Sequence, residues 1–188
     1  MAFKTLEKFQ LEKDHGLYQS PGDASIAETA LMLLAMKESG IDESNEQYRQ
    51  AKKYILDYAK KVNGPWGMTE YNEFFPDCDM TQLAIVTLDR ILTPEEKDKA
   101  SYFKNAIKWM YQNQNHDGGF PTWGKDKIPG LGNLIQFNGL VLGESVVEHT
   151  ARAITAFSRI DQKYRDQASI DRAMKYLISK QKEDGSFV

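Results

Sequence analysis

The sequence predicts an all-α fold of about three helical hairpins, with inner helices backed by outer ones as in an α/α barrel. Three observations predict it. Helix start and stop signals are dense, amphipathic helices alternate with helices apolar nearly all round, and the pattern repeats.

The starts come first. Ser25 with Glu28, Ser44 with Gln47, Thr93 with Glu96 and Ser145 with Glu148 read as capping boxes, which satisfy backbone N–H groups that the first turn leaves unpaired. Pro94 suits a first helical position because its φ is already helical. Gly40 and Gly64 read as stops.

Periodicity supplies the outer helices. Tyr48, Ala51, Ile55, Tyr58, Ala59 and Val62 share one helical face. Ala100, Phe103, Ala106, Ile107 and Met110 share a second, and Ile170, Ala173, Met174, Leu177 and Ile178 a third. Charged residues lie behind each, so these helices have one wet side. The segments between them, LMLLAM at 31–36, LAIVTL at 83–88 and ARAITAF at 151–157, are apolar nearly all round or carry small residues. That suits helices buried on two sides.

The repeat follows from self-comparison. Thr29, Thr81 and Thr150 open TALMLLAM, TQLAIVTL and TARAITAF, each one or two residues after an acid: Glu28, Asp79 and Glu148. Two outer helices end in one phrase, Q-x-x-D-G-x-F, at 114–120 and 181–187. Glycine after aspartate makes a turn because it tolerates positive φ. The glutamine is expected to bond backbone groups, and the aromatic to pack on the next repeat.

Composition bounds the rest. The 188 residues form one domain, 1–188, with a long loop at 121–143 that has five glycines and no helical period. Such a loop is a site cover or a disordered flap. Net charge is −3, and lysines are scattered among acids, so no basic stripe suggests nucleic acid. The single cysteine, Cys78, allows no intrachain disulfide and no cysteine-rich zinc site. His15, His116 and His149 have no ligand spacing, so neither metal nor cofactor is expected. No apolar run is long enough to span a bilayer and no signal peptide is evident, which makes the cytoplasm the default.

The Q-x-x-D-G-x-F phrase resembles the QW motif of squalene-hopene and oxidosqualene cyclases, with Phe for Trp. The stretch Asn72-Glu73-Phe74-Phe75-Pro76-Asp77-Cys78-Asp79-Met80-Thr81 is similar to that family's N-E-F-Y-P-D-x-D-D-T segment, which holds the D-x-D-D acid motif. Ser20-Pro21 and the segment from Glu148 to Arg152 add further matches. The resemblance implies half of an (α/α)6 toroid, with inner faces left for self-association or for a missing barrel half. It implies protonation-initiated cyclisation of a hydrophobic polyprenyl substrate, without metal, and peripheral contact with a membrane.

By that resemblance Asp79 is the proton donor and Asp77 its like-charged neighbour. Trp66, Tyr71, Phe74, Phe75, Trp123 and Phe137 would shield the cations, as aromatic faces do. Arg152 joins the substrate lining. Met80 replaces the last acid of D-x-D-D, and Arg152 stands where family members often carry histidine. Simpler roles stay open: Asp79 as an N-cap, Asp77 as a turn residue, Cys78 as a small buried residue, and the aromatics as core. Two other functions also stay open, a non-catalytic helical repeat binding a lipid or protein, and a prenyltransferase-like α/α barrel. The last lacks its Asp-x-Cys spacing here.

Overall fold

A computed structural model describes residues 10–13, 16–19, 25–67, 76–125, 136–137, 140–141 and 143–187. For the strands at 10–19 and 136–141 the description is of backbone alone. The chain opens with an antiparallel pair, β1 (Gln10–Lys13) and β2 (Gly16–Gln19). Three inner helices follow: α1 (Ser25–Glu38), α3 (Cys78–Ile91) and α6 (Val147–Arg159). Their outer partners are α2 (Glu46–Val62), α5 (Ser101–Gln112) and α7 (Gln167–Lys180). The short α4 (Pro94–Lys99) leads into α5. In the inner layer α3 packs between α1 and α6, and each inner helix packs on its own outer helix. This is an all-α segment of an α/α toroid.

The core lies between the layers. Ile26, Ala30 and Leu33 of α1 and Ala84, Ile85 and Leu88 of α3 are buried, as are Ala153 and Phe157 of α6. They meet Tyr48 and Ile55 of α2 and Phe103, Ala106 and Met110 of α5. The outer helices therefore bury one stripe, as their period predicts. The α1 helix departs from the expected two-sided burial, because Leu31 and Met32 are exposed.

The helix caps follow the expected pattern only in part. Thr93 and Glu96 form the full capping box. At α2 the cap is Asn45, whose Oδ1 accepts from Tyr48 N at 2.9 Å, in place of neighbouring Ser44. At α6 no side chain caps. Ser145 sits in β6 (Ser145–Val146), and its hydroxyl donates to Asp117 at 2.6 Å instead. The α2 stop is Asn63 in the left-handed region, one residue before Gly64.

Within the 121–143 stretch the described parts include Pro121 of β3 (Phe120–Pro121), which pairs with β6, and the antiparallel β4 (Gln136–Phe137) and β5 (Leu140–Val141). Residues 126–135, 138–139 and 142 lie outside the described residues.

Candidate active site

Two segments pin the start of α3. Asp77 N donates to Trp66 O at 3.1 Å, and Trp66 N donates to the Thr81 hydroxyl oxygen at 3.1 Å. Thr81 Oγ1 donates in turn to Asp77 O at 2.7 Å. From the other side Cys78 N donates to Thr122 O at 2.8 Å, and Asp77 forms a bridge with Trp123. The first turn of α3 is therefore held by backbone far away in sequence, and that burial decides its chemistry.

Asp77 is the N-cap of α3. Its Oδ1 accepts from Met80 N at 2.7 Å, and the residue is only 3% exposed. Its Oδ2 is buried with no hydrogen-bond partner among the described residues. Burial raises this carboxyl to about 7, against the lowering effect of the Met80 N–H, and the nearby Asp79 charge raises it further. A buried carboxyl lacking a partner on one oxygen is more easily kept neutral than ionised.

Asp79 lies two residues on in a different environment. Its side chain is 41% exposed, and Oδ1 accepts from Arg152 Nη1 at 2.5 Å. Arg152 donates through Nη2 to Glu148 Oε1 at 2.5 Å, making a three-member strap from α6 to α3. The hydrogen bond that Arg152 donates to Asp79 is the largest influence raising the Arg152 pKa. Asp79 thus acts as the anion of an ion pair, and Arg152 is occupied by acids on both sides.

His149 lies at the same junction. Its Nδ1 is 4.0 Å from Asp79 Oδ1 and is buried without a hydrogen-bond partner among the described residues. Burial lowers its pKa, while Asp79 and Glu148 oppose that. Its backbone oxygen accepts from Gln82 Nε2 at 3.0 Å. Neither contact is specified by the repeat: aligned on the threonines, His149 corresponds to Met80, and Asp79 to Glu148.

Cys78 is a free, buried thiol, and burial pushes its pKa up, which leaves it without nucleophilic character. Trp66 lies wholly in the core, its indole edge-to-face on Tyr58 at 5.4 Å between centroids. Trp123 is half-buried beside Asp77. Tyr71, Phe74 and Phe75 lie outside the described residues, as does the side chain of Phe137. Among the described residues no group of three or more His, Cys, Asp or Glu could hold a metal. No described helix is long and apolar enough to cross a membrane.

On α3, Asp79, Leu83, Val86 and Arg90 share one partly exposed stripe, as spacings of four, three and four require. Arg90 Nη2 pairs with Glu38 Oε1 of α1 at 2.9 Å. Leu83 and Val86 therefore form an apolar band between two ion pairs.

Residues 24–188 match the family model of the squalene-hopene cyclase C-terminal domain. The chain is 26% identical to a squalene–hopene cyclase of Alicyclobacillus acidocaldarius, over 97% of this chain and 31% of that protein. It is 24% identical to sporulenol synthase of Bacillus subtilis, over 90% of this chain and 28% of the relative. Identity reaches 30% with a squalene-hopene cyclase of Schizosaccharomyces japonicus, over 66% and 19% of the two chains. The chain thus spans about a third or less of the length of these curated relatives. With its inner and outer helices, its repeated Gln–Asp–Gly–aromatic turns and this match over most of its length, the chain belongs to the squalene-hopene cyclase family, as a part of the C-terminal domain.

Proposed function

We propose that this chain forms one wall of a class II terpene cyclase site that protonates a hydrophobic polyprenyl substrate, with Asp77 as the protonated carboxyl. One observation carries the proposal: Asp77 is buried, one of its oxygens has no partner among the described residues, and its pKa is raised to about 7. Alkene protonation needs a neutral carboxylic acid in a dry setting. The O–H bond of the acid breaks, a C–H bond forms from the alkene π electrons, and a carbocation and a carboxylate result. Proton loss from the last cation balances the sequence. Met80 N–H and the positive end of α3 would stabilise the Asp77 carboxylate left behind. Trp123, with Tyr71, Phe74, Phe75 and Phe137, would supply the aromatic lining.

This reading exchanges the roles expected from sequence. Asp79, clamped by Arg152, serves as a fixed anion near the developing cation, and Arg152 positions it. The names of the relatives, squalene–hopene cyclase and sporulenol synthase, support a polyprenyl substrate class.

The Arg152–Asp79 pair also favours a second reading. A guanidinium on the aligned aspartate suits a non-catalytic repeat domain that binds a lipid or protein. Incubation with polyprenyl substrates, the rest of the cavity being supplied in trans, separates the two. Cyclised product that is lost in Asp77→Asn and kept in Asp79→Asn supports the catalytic reading. No product, or loss confined to Asp79→Asn, overturns it. Polyprenol binding without turnover, unchanged in Asp77→Asn, supports the second.

A further inference from the structure

The junction of α3 and α6 holds three charges that do not balance. Asp79 and Glu148 are anions, and Arg152 is the single cation between them, 2.5 Å from each. A fourth titratable group stands beside them. His149 Nδ1 lies 4.0 Å from Asp79 Oδ1, the same oxygen that accepts from Arg152 Nη1. This Nδ1 is buried and has no hydrogen-bond partner among the described residues. Buried polar atoms are normally paired, so an orphan this close to an anion calls for an explanation.

The two competitors for Asp79 differ in freedom. The side chain of His149 is only 14% exposed, and its backbone oxygen accepts from Gln82 Nε2 of α3 at 3.0 Å, which holds the ring at the junction. The Arg152 side chain is 52% exposed, and its second bond, to Glu148, stays within α6 one turn back. Arg152 can therefore leave Asp79 without losing Glu148, whereas the imidazole has no such freedom. A rotation of Asp79 about its side-chain bonds closes the remaining gap to Nδ1.

Charge sets the direction. The charged groups acting on the ring are Asp79 from α3 and Glu148 and Arg152 from α6 itself. The α7 helix and the β3–β6 pair also pack on α6 and add no charged group to these among the described residues. With His149 neutral, the cluster carries two anions and one cation. With His149 protonated, it carries two of each and sorts into two pairs, His149 with Asp79 and Arg152 with Glu148. Burial lowers the His149 pKa, so the ring is neutral at pH 7 and the balanced state belongs to mildly acidic solution.

We infer that His149 and Arg152 exchange Asp79 between them as a pH-sensitive latch. The guanidinium ties α6 to α3 while His149 is neutral. The imidazolium replaces it when His149 is protonated, and Arg152 is released to Glu148 alone. The exchange is independent of whether Asp77 protonates an alkene, so its test reads titration and stability rather than turnover.

Two measurements on the full chain provide that test. Proton NMR follows the His149 ring through pH, with His149→Gln assigning its signal among the three histidines. The His149 midpoint is expected to fall by roughly one pH unit in Asp79→Asn, which removes the anion, and to rise in Arg152→Gln, which removes the competitor. A double-mutant cycle of the same two substitutions, read by urea unfolding, gives the Arg152–Asp79 coupling. The predicted result is a coupling present at pH 8, roughly halved at pH 5, and constant between the two in a His149→Gln background. That background controls for carboxylate titration. Where it does not fold, His149→Asn, which sets a neutral amide near the Nδ1 position, takes its place. A wild-type coupling equal at the two pH values overturns the inference. So does an equal fall in the His149 variant, or a His149 midpoint indifferent to Asp79→Asn.

Discussion

The phrases at 114–120 and 181–187 share a sequence pattern and a local shape but have opposite surroundings. Gly118 and Gly185 take φ of 91° and 86°, and each glutamine donates to the carbonyl of its own turn glycine. Yet Phe120 is fully buried while Phe187 is 51% exposed. A Cβ added at Gly118 would lie 2.4 Å from Arg172 O, whereas at Gly185 the nearest atom is Gln181 Nε2 at 4.0 Å. The comparison separates two things that one motif encodes. The turn is made by the phrase itself, and the joint is made only when another hairpin arrives.

Substitutions can break or sharpen that contrast, from the largest effect down. Phe120→Ala is expected to cost about 3–5 kcal/mol, because it empties a site packed against Phe157. Phe187→Ala in dilute monomer is expected to stay within about 0.5 kcal/mol. Equal costs in denaturant unfolding would erase the distinction. Gln114→Ala leaves Ser169 O and the Gly118 carbonyl without their donor in the interior, and is expected to cost about 1–3 kcal/mol. The exposed Gln181→Ala should cost a few tenths at most. Gly118→Ala and Gly185→Ala both strain a positive φ, but only the first meets backbone, so thermal unfolding should fall further for Gly118→Ala.

A second contrast, between Asp77 and Asp79, predicts a pH effect. The folded-state pKa of Asp77 is raised from 3.8 to about 7, so the folded chain holds a proton that the unfolded chain has released between those values. Stability contributed by this group is therefore complete below about pH 4 and declines as pH rises towards 7, by on the order of 2–4 kcal/mol. Asp77→Asn keeps a capping side chain and flattens that decline. Urea unfolding across the window checks this, and an unchanged slope would count against a buried, protonated Asp77.

Much of the fold was legible because its signals are local. The Asp-Gly turns, the Thr93–Glu96 box and the outer-helix stripes depend on residues within a turn or two of each other. The exposed Leu31 and Met32 were missed because apolar sequence implies burial only where a neighbour exists. The site was less legible. Two acids stand at 77 and 79, and a shift of one or two residues in the helix start decides which one caps. Asp77 owes its burial to the 66–67 and 122–123 segments, and Asp79 owes its ion pair to Arg152, 73 residues away. Ser145 has a capping pattern but is claimed by Asp117 across the chain. Sequence showed that acid chemistry gathers at this helix start, and only the long-range contacts divide it between the two carboxylates.

The most direct measurement is a side-chain carboxyl titration of the folded chain by carbon NMR, with Asp77→Asn and Asp79→Asn for assignment. An aspartate that titrates near 7 and vanishes in Asp77→Asn is the predicted result. An Asp77 that titrates in the ordinary range near 3.8 would contradict the account.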